Sequence, residues 1–118
     1  MDELLSIMDT LLGENGCPWD KEQTHLSILP NMTEECGEAV EAIQSGDTAA
    51  MCEELGDVLL QVVFHAKIAE KEGSFNFDDI VSMLSKKLVD RHTHVFGEDM
   101  AVTSEDAIKI WKANKAKM

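Results

Sequence analysis

The sequence predicts an all-α fold, a bundle of about five helices in which one antiparallel pair carries two acidic faces. Segments with helical patterning follow one another along the chain, and capping residues, glycine or proline mark their ends. No β-hairpin signal, internal repeat or low-complexity tract interrupts them. The 118 residues suffice for one hydrophobic core, so we expect residues 1–118 to form a single domain.

The first two helices are separated by a predicted loop. Residues 3–12 form the first helix, which ends at GENGCPWD, because glycine and proline are typical of loops. A loop of about ten residues is expected to follow. Ser27 is the predicted N-cap of the second helix, where Pro30 is tolerated in the first turn, and Ser45 and Gly46 end that helix.

The third helix is predicted from Asp47, its N-cap, to Glu72, just before Gly73. From residue 58 to residue 69 this helix is apolar over most of its circumference. A helix of that kind is covered on several sides. It is therefore expected to be the central helix or part of a subunit interface.

Two more helices complete the predicted bundle. Asn76 is the expected N-cap of a fourth helix over residues 77–93. Thr103 or Ser104 is the expected N-cap of a fifth helix over residues 105–116.

The charge is large and unevenly distributed. The formal net charge is −13 at pH 7. Nucleic-acid polymers and anionic membranes require a basic surface, so neither is an expected partner. Residues 1–85 contain 18 acidic and three basic side chains, whereas residues 86–118 contain five acidic and seven basic ones. An anionic ligand is therefore expected at the C-terminal part of the chain.

The cysteines and the N-terminus indicate a cytoplasmic protein. Cys17, Cys36 and Cys52 form no CxxC pair and are odd in number, so we expect reduced thiols and neither a disulfide framework nor a structural zinc site. No stretch approaches the roughly 20 apolar residues of a membrane span. The acidic start MDELLSIMDTLL lacks the basic region of a secretory signal.

Acidic residues concentrate on one face of the second helix, within TEECGEAVEAI. Three of them fall within about 60° of one another and the fourth lies beside them. The apolar residues of the same helix cluster on the opposite side. The acidic group is Glu34, Glu35, Glu38 and Glu41, and the apolar group is Met32, Cys36, Ala39, Val40 and Ile43.

The third helix carries a second acidic group, Glu53, Glu54 and Asp57, within CEELGD. A tight turn at Gly46 makes the two helices an antiparallel hairpin, so Glu38 and Glu41 should lie near Glu54 and Asp57. Like charges about 4 Å apart repel by roughly 4 kcal/mol at an effective dielectric constant near 20. A divalent cation would relieve that repulsion.

Oxygen ligands without histidine or thiolate suit Mg²⁺ or Mn²⁺. The alternative is an ordinary solvated acidic face. Against it, no basic residue occurs between Lys21 and Lys67 to form compensating helical pairs. Gly37 and Gly56 also lie inside the acidic groups, where a missing side chain permits close helix approach or ligand access.

Basic and aromatic residues near the C-terminus form a pattern that suits a nucleotide. Lys87 and Arg91 share a face of the fourth helix, as do Trp111 and Lys115 on the fifth. Arginine suits phosphate recognition, and an indole suits base stacking. Surface solubility for the first pair and ordinary packing for Trp111 are the alternatives.

Histidines offer a rival site. His92 and His94 are two residues apart, and His65 lies on the apolar third helix. Residues two apart point to different sides of a helix, although they would be able to converge if the helix has ended before them, and no other Cys or His spacing supports zinc. We therefore expect His65 to be a buried histidine with its hydrogen bonds satisfied.

Four blocks in order resemble the MazG family of nucleoside triphosphate pyrophosphohydrolases. The resemblance covers nearly the whole chain and implies an all-α fold, Mg²⁺ dependence, and hydrolysis of a nucleoside triphosphate to the monophosphate and pyrophosphate. It also implies subunit pairing, as a homodimer or a pair of dimers that completes the bundle and the site. The blocks are GCPWDKEQTH (16–25), the EExxE of residues 34–38 continuing to Glu41, EELGDVLLQVVFHA (53–66) and KLVDRHTHVFG (87–97).

The resemblance also implies roles for individual residues. Asp90 and Thr93 depart from the pattern, which usually has a basic residue and a proline there, so the phosphate contacts of that stretch are in doubt. Expected alternatives are a pyrophosphohydrolase for deoxyuridine triphosphate or phosphoribosyl-ATP, or a nucleotide- or metal-binding regulator without catalysis. By motif position, the metal ligands are Glu35, Glu38, Glu54 and Asp57, the water-orienting or supporting groups are Glu34 and Glu41, the triphosphate contacts are Lys87 and Arg91, and the nucleotide contacts are Trp111 and Lys115.

Overall fold

The computed structural model describes residues 1–117 and confirms the all-α prediction, since that range contains seven helices and no strand. No helix in this range is both long enough and apolar enough to cross a membrane. The helices are α1 (Asp2–Leu12), α2 (Pro18–Glu22), α3 (Leu29–Ser45), α4 (Thr48–Glu72), α5 (Phe77–Arg91), α6 (Thr93–Phe96) and α7 (Ser104–Ala116).

Several helix ends lie where the sequence predicts them. The Asp47 carboxylate accepts hydrogen bonds from the backbone N–H groups of Ala49 and Ala50, at 3.1 and 3.2 Å, and caps α4. Gly46 and Gly73 end α3 and α4 with φ values of 76° and 79°, a left-handed conformation that glycine adopts without steric cost. These caps fix both ends of α4 and join it to α3.

The predicted N-cap of α3 is wrong by one residue. Ile28, not Ser27, occupies the N-cap position, and no side chain caps the helix. The Ser27 hydroxyl instead accepts the N–H of Thr24 at 2.8 Å and donates to Gln23 Oε1 at 2.7 Å. The Ser27 N–H in turn donates to the Thr24 hydroxyl at 3.1 Å. The serine therefore closes the preceding turn and does not cap the helix.

Two predicted segments divide further in the structure. The ten-residue loop contains the short helix α2, whose first residue is Pro18, because the fixed φ of proline suits a first helical turn. The fourth helix ends at Arg91, two residues early, because His92 has φ −115° and ψ 52°, outside the helical region. The fifth predicted helix is α7, capped by Thr103 in a capping box with Asp106, as expected.

The chain divides into two compact units, the first ending at Phe77 and the second beginning at Asp78. The single domain over residues 1–118 stays a prediction. In the first unit, α4 is the central helix, because Val63, Ala66 and Ala69 are fully buried along it. Its core consists of Met8, Ile28, Val63, Phe64 and Ile68, and the partly buried Leu4, Leu5, Leu12, Leu60 and Phe77 pack against it.

In the second unit, α6 packs against α7. The buried Asn114 donates from Nδ2 to the Thr93 hydroxyl at 2.8 Å, and that hydroxyl donates to Asp99. This chain of bonds joins the start of α6 to the last turns of α7. None of the described residues of α5 is buried.

Candidate functional site

Three of the predicted ligands come together on the α3–α4 pair. Glu35 and Glu38 lie one turn apart on α3, and Glu54 lies on the first half of α4. One carboxylate oxygen from each lies within 4.8 Å of the other two, and all three side chains are half-buried. The two acidic faces therefore meet, as the hairpin predicts, although Glu35 takes the place beside Glu38 that was expected for Glu41.

The electrostatics of this cluster are unfavourable to charge. Burial, followed by the neighbouring charge of Glu38, raises the pKa of both Glu35 and Glu54 above the ordinary value of 4.5. The charge of Asp57 contributes to the rise in pKa at both residues, which assigns that carboxylate to the same electrostatic group. The cluster is thus a set of like charges that repel one another.

Two oxygens of the cluster lack hydrogen-bond partners. Glu35 Oε2 and Glu54 Oε2 are buried and accept no hydrogen bond from any of residues 1–117. A buried acceptor without a donor costs free energy, because its hydrogen bonds to water are lost and no protein hydrogen bond replaces them. Carboxylate oxygens in this state suit a hard divalent cation such as Mg²⁺ or Mn²⁺, and the donors present fit such an ion.

Glu34 and Glu41, the two predicted water-orienting residues, lie on α3 and are exposed. Neither belongs to the group of three carboxylates whose oxygens converge. The role of both residues stays a prediction.

Close approach of another helix of the same chain does not explain the two glycines. A Cβ added at Gly37 or at Gly56 would meet no atom within 4 Å. Neither glycine therefore makes room for another part of the described chain. Access for a ligand remains the other predicted reason for these glycines.

Three of the four predicted nucleotide contacts also come together. The Arg91 guanidinium carbon lies 5.3 Å from the centroid of the Trp111 ring, and Lys115 Nζ lies 5.0 Å from it. Both distances are within cation–π range. Arg91 Nε is buried without a hydrogen-bond partner in the described residues, and Lys87 is exposed one turn earlier on α5. The arrangement concentrates positive charge around one indole.

The two departures from the family pattern have structural partners. Asp90 accepts a hydrogen bond from Lys86, one turn before it on α5. Thr93 connects Asn114 to Asp99, as described above. Both residues therefore make internal contacts of the second unit.

The rival zinc site is not assembled in residues 1–117, where the three glutamates form the one group with metal-ligand spacing. The rings of His92 and His94 lie 5.5 Å apart and are tilted by 45°. His65 instead meets His25, with 2.7 Å between their Nδ1 atoms, and its Nε2 is buried without a partner. The prediction of a satisfied buried histidine is therefore wrong for one of its two nitrogens.

No local pattern in the sequence indicates the His25–His65 contact, beyond the presence of His25 in the QTH of the first motif block. The residues are 40 positions apart, and no local periodicity relates them. An open groove of about 750 Å³ was also unforeseen. It runs along the second half of α4 beside α1 and α2, and none of the predicted site residues lines it.

Residues 23–96 match the family described as the MazG nucleotide pyrophosphohydrolase domain. The chain is 53% identical over 97 residues to the nucleoside triphosphate pyrophosphohydrolase/pyrophosphatase MazG of Thermotoga maritima, covering 82% of this chain and 38% of that protein. It is 47% identical over 116 residues to the nucleoside triphosphate pyrophosphohydrolase of Escherichia coli K12, covering 98% of this chain and 44% of that protein.

The fold has a solved counterpart. The crystal structure of a mazG-related protein from Thermotoga maritima superposes with a TM-score of 0.80 at 28% identity, covering 98% of this chain and 99% of that one. The chain spans less than half the length of the curated relatives it matches. The family match covers more than half of the chain and includes the four predicted metal ligands, and the chain belongs to the MazG nucleotide pyrophosphohydrolase family.

Proposed function

We propose that the chain hydrolyses ribo- or deoxyribonucleoside triphosphates to the monophosphate and pyrophosphate in the presence of Mg²⁺. The observation that carries the proposal is the buried, partnerless pair of oxygens on Glu35 and Glu54 in an all-oxygen cluster. Membership of a family of nucleotide pyrophosphohydrolases supports the substrate class. Removal of damaged or unwanted nucleotides from the pool is the proposed biological role.

The residues that would hold the cation are Glu35, Glu38, Glu54 and Asp57. When bound, Mg²⁺ would neutralise phosphate charge and lower the pKa of a coordinated water, and Mn²⁺ is a plausible substitute in such an oxygen site. We expect the α3–α4 hairpin to organise these carboxylates before any ligand arrives, because α4 is capped at both ends and is packed into the core.

The reaction that we propose is in-line attack of water on the α-phosphorus. The water oxygen forms a bond to the α-phosphorus while the bond from that phosphorus to the bridging oxygen breaks, and pyrophosphate leaves. A carboxylate must orient the water and accept its proton. Glu34 and Glu41 are our candidates, because both are exposed on the α3 helix that carries two of the ligands.

For the substrate, we assign Lys87 and Arg91 to the triphosphate, and Trp111 with Lys115 to the nucleoside end. The cation–π distances support a joint role for Arg91, Lys115 and Trp111. The net charge of −13 argues against a nucleic-acid polymer or an anionic membrane as partner.

We further propose that the chain works as a homodimer or as a pair of dimers. The α3–α4 hairpin leaves large apolar side chains in solvent on the face that does not carry the carboxylate cluster. Exposed apolar patches of this kind mark protein interfaces. The side chains are Val40, Ile43, Leu55 and Leu59, which are 38% to 53% exposed.

The test is to incubate the purified protein with each common ribo- and deoxyribonucleoside triphosphate, with Mg²⁺ and with a chelator, and to separate the products by chromatography. Monophosphate and pyrophosphate are the expected products, and neither should form when the chelator is present. The rates at which they form would rank the substrates. Diphosphate and orthophosphate would overturn attack at the α-phosphorus. No turnover with any nucleotide would contradict the enzyme proposal and favour a binding or regulatory role.

A further inference from the structure

His25 and His65 form a contact that the proposed catalysis does not use. His25 lies between α2 and α3, and His65 lies on the second half of α4. Their Nδ1 atoms are 2.7 Å apart, their ring planes differ by 2°, and their centroids are 5.0 Å apart. The centroid distance is close to the nitrogen–nitrogen gap plus one ring radius on each side. The rings therefore lie in one plane and meet edge to edge, which is the geometry of a hydrogen bond.

A bond between two imidazole nitrogens holds one proton, because one nitrogen must donate and the other must accept. Two neutral rings carry two N–H protons in total, so one proton is shared and the other is on one of the two Nε2 atoms. His25 Nε2 lies 3.5 Å from a Glu72 carboxylate oxygen, which can only accept a proton. The second proton therefore belongs on His25 Nε2, and His65 Nε2 is a bare acceptor.

A third proton on the two rings can be placed in only one way. The shared position is full, so both Nε2 atoms must then carry hydrogen. His65 Nε2 is buried and has no acceptor in residues 1–117, so its new N–H group would be unpaired. A second added proton would set two N–H groups against each other and break the bond. Burial and the nearby His25 also lower the pKa of His65 below the ordinary value of 6.5.

The charged groups around the pair do not offset this cost. Glu72 lies on α4, and of the two histidines it contacts only His25, at Nε2. Lys67, the next basic residue along α4, is engaged by Asp9 of α1 at 2.7 Å and by Glu70 of α4 at 3.2 Å. From α2, Lys21 donates to the Glu14 backbone oxygen. Asp20 and Glu22 of α2 and Lys71 of α4 line the groove together with Glu72.

We propose that His25 and His65 form a proton-sharing latch that fastens the segment between α2 and α3 to α4 at neutral pH and opens in acid. The segment leads directly into Ile28, which is buried in the core, and into the first turn of α3. The latch therefore acts on the helix that carries Glu35 and Glu38. Its stabilising contribution is complete above pH 6.5 and is lost as the pH falls below that value.

The first test needs no mutation. Nitrogen-15 NMR of the full chain at pH 7.5 should find His25 protonated at Nε2 and His65 at Nδ1, with both rings changing together on acidification. Two rings that both carry their proton on Nε2, or that titrate independently of each other, would overturn the shared proton.

The second test measures hydrogen exchange, as protection relative to the intrinsic rate at each pH. The amides of Thr24, Ser27 and Leu29 are hydrogen-bonded within the latched segment. Their protection in the wild type should fall about fivefold between pH 7.5 and pH 5.5, the effect of losing one ordinary hydrogen bond. His65→Asn should give the low value at both pH values.

The matched control is His94→Asn, the same substitution at a histidine of the second unit. It should keep the wild-type protection and its pH dependence at all three amides. Equal loss in both variants, or no pH dependence in the wild type, would overturn the latch.

Discussion

The two ends of α4 both carry acidic side chains, and the chain provides for them differently. Near the C-terminal end, Lys67 bonds to Asp9 and Glu70, and its own side chain is only 11% exposed. Near the N-terminal end, Glu54 meets Glu35 with no basic residue between positions 21 and 67 of the sequence. The chain supplies a cation where the carboxylates serve the fold. At the other end no basic residue of the same stretch of sequence lies among the carboxylates, and we propose that a metal ion supplies the counter-charge.

The largest expected effect comes from removing one carboxylate charge from the cluster near the N-terminal end of α4. Glu38→Gln should lower turnover by at least about a hundredfold, since even the loss of a residue that only supports a metal ligand costs about 10-fold to 100-fold. The fold should be retained, because the Glu38 charge contributes more than any other neighbouring charge to the raised pKa of Glu35 and Glu54, and its removal relieves that repulsion. Pyrophosphate release at saturating Mg²⁺ and the circular-dichroism spectrum would measure the two effects.

Glu70→Gln is the matched control at the lysine-paired end of α4. The Glu70 carboxylate contacts Lys67 at 3.2 Å and belongs to no group of converging carboxylates in the described residues. We expect wild-type turnover from this variant. Near-normal turnover in Glu38→Gln, or an equal loss in Glu70→Gln, would contradict the assignment of the site to one end of α4.

The opposite face of the same hairpin provides the second prediction. Ile43→Lys places a charge among the exposed apolar side chains of α3 and α4, and should convert the proposed dimer to single chains. Sedimentation or light scattering would measure the mass. Met100→Lys, at another exposed apolar residue, is the control and should leave the mass unchanged. A wild-type mass for Ile43→Lys would remove this face from the interface.

The third prediction concerns pH and metal at the acidic end. The raised pKa values of Glu35 and Glu54 mean that the folded protein binds more protons at these residues than the unfolded chain. Their contribution to the free energy of unfolding is complete below pH 4.5 and is lost as the pH rises above it. Mg²⁺ that binds the ionised carboxylates should itself stabilise the folded protein at pH 7.5, by about 2.7 kcal/mol at a concentration of 100 times Kd.

The measurement is thermal unfolding at pH 5 and pH 7.5, with a chelator and with Mg²⁺. The rise in Tm on adding Mg²⁺ should be larger at pH 7.5 than at pH 5, and much smaller in Glu38→Gln. An equal rise in the wild type and in the variant would locate the metal effect elsewhere.

Helix ends and the α3–α4 hairpin are features that the sequence alone could predict. Helix positions followed from caps such as Asp47 and Thr103, whose partners lie within three residues. The convergence of Glu38 with Glu54 followed from one tight turn and helical geometry. Both predictions depend only on residues that are close together in the sequence.

Predictions failed where the partner is distant or where two local bonds compete. Ser27 had a cap-like position, but Thr24 offered it a reciprocal pair of bonds. The contact of His25 with His65 and that of Asp9 with Lys67 depend on how α1 and the α2–α3 segment pack against α4. A single sequence gives no periodicity from which those contacts could be derived.

Near the C-terminal end of α4, Lys67→Met removes the ion pairs with Asp9 and Glu70 and should lower the free energy of unfolding by about 1 kcal/mol. The loss is small because both carboxylates are mostly exposed, and exposed ion pairs contribute little. The methionine keeps the packing of the aliphatic part of the side chain. Chemical denaturation would measure the change, and the response of Tm to Mg²⁺ should stay as in the wild type. Lys86→Met, at a lysine that is 75% exposed and pairs with Asp90, is the control and should change stability less. A lost Mg²⁺ response in Lys67→Met would mean that the two ends of α4 are coupled.

The smallest expected effect is at Gly56, within the acidic end. An added Cβ there meets no atom within 4 Å, so Gly56→Ala should raise stability by about 0.5–1 kcal/mol through the better helix propensity of alanine. Gly73→Ala is the contrasting control, because Gly73 has φ +79° and the same methyl group should destabilise that position. Chemical denaturation and turnover would be measured on both variants.

The two readouts for Gly56→Ala separate the explanations of that glycine. If the ligand approaches the helix at this point, the variant gains stability and loses turnover, because the methyl group occupies space that only the ligand uses. A gain in stability with turnover unchanged would contradict ligand access. The acidic end of α4 would then differ from the paired end only in its missing counter-charge, and the carboxylates alone would define the site.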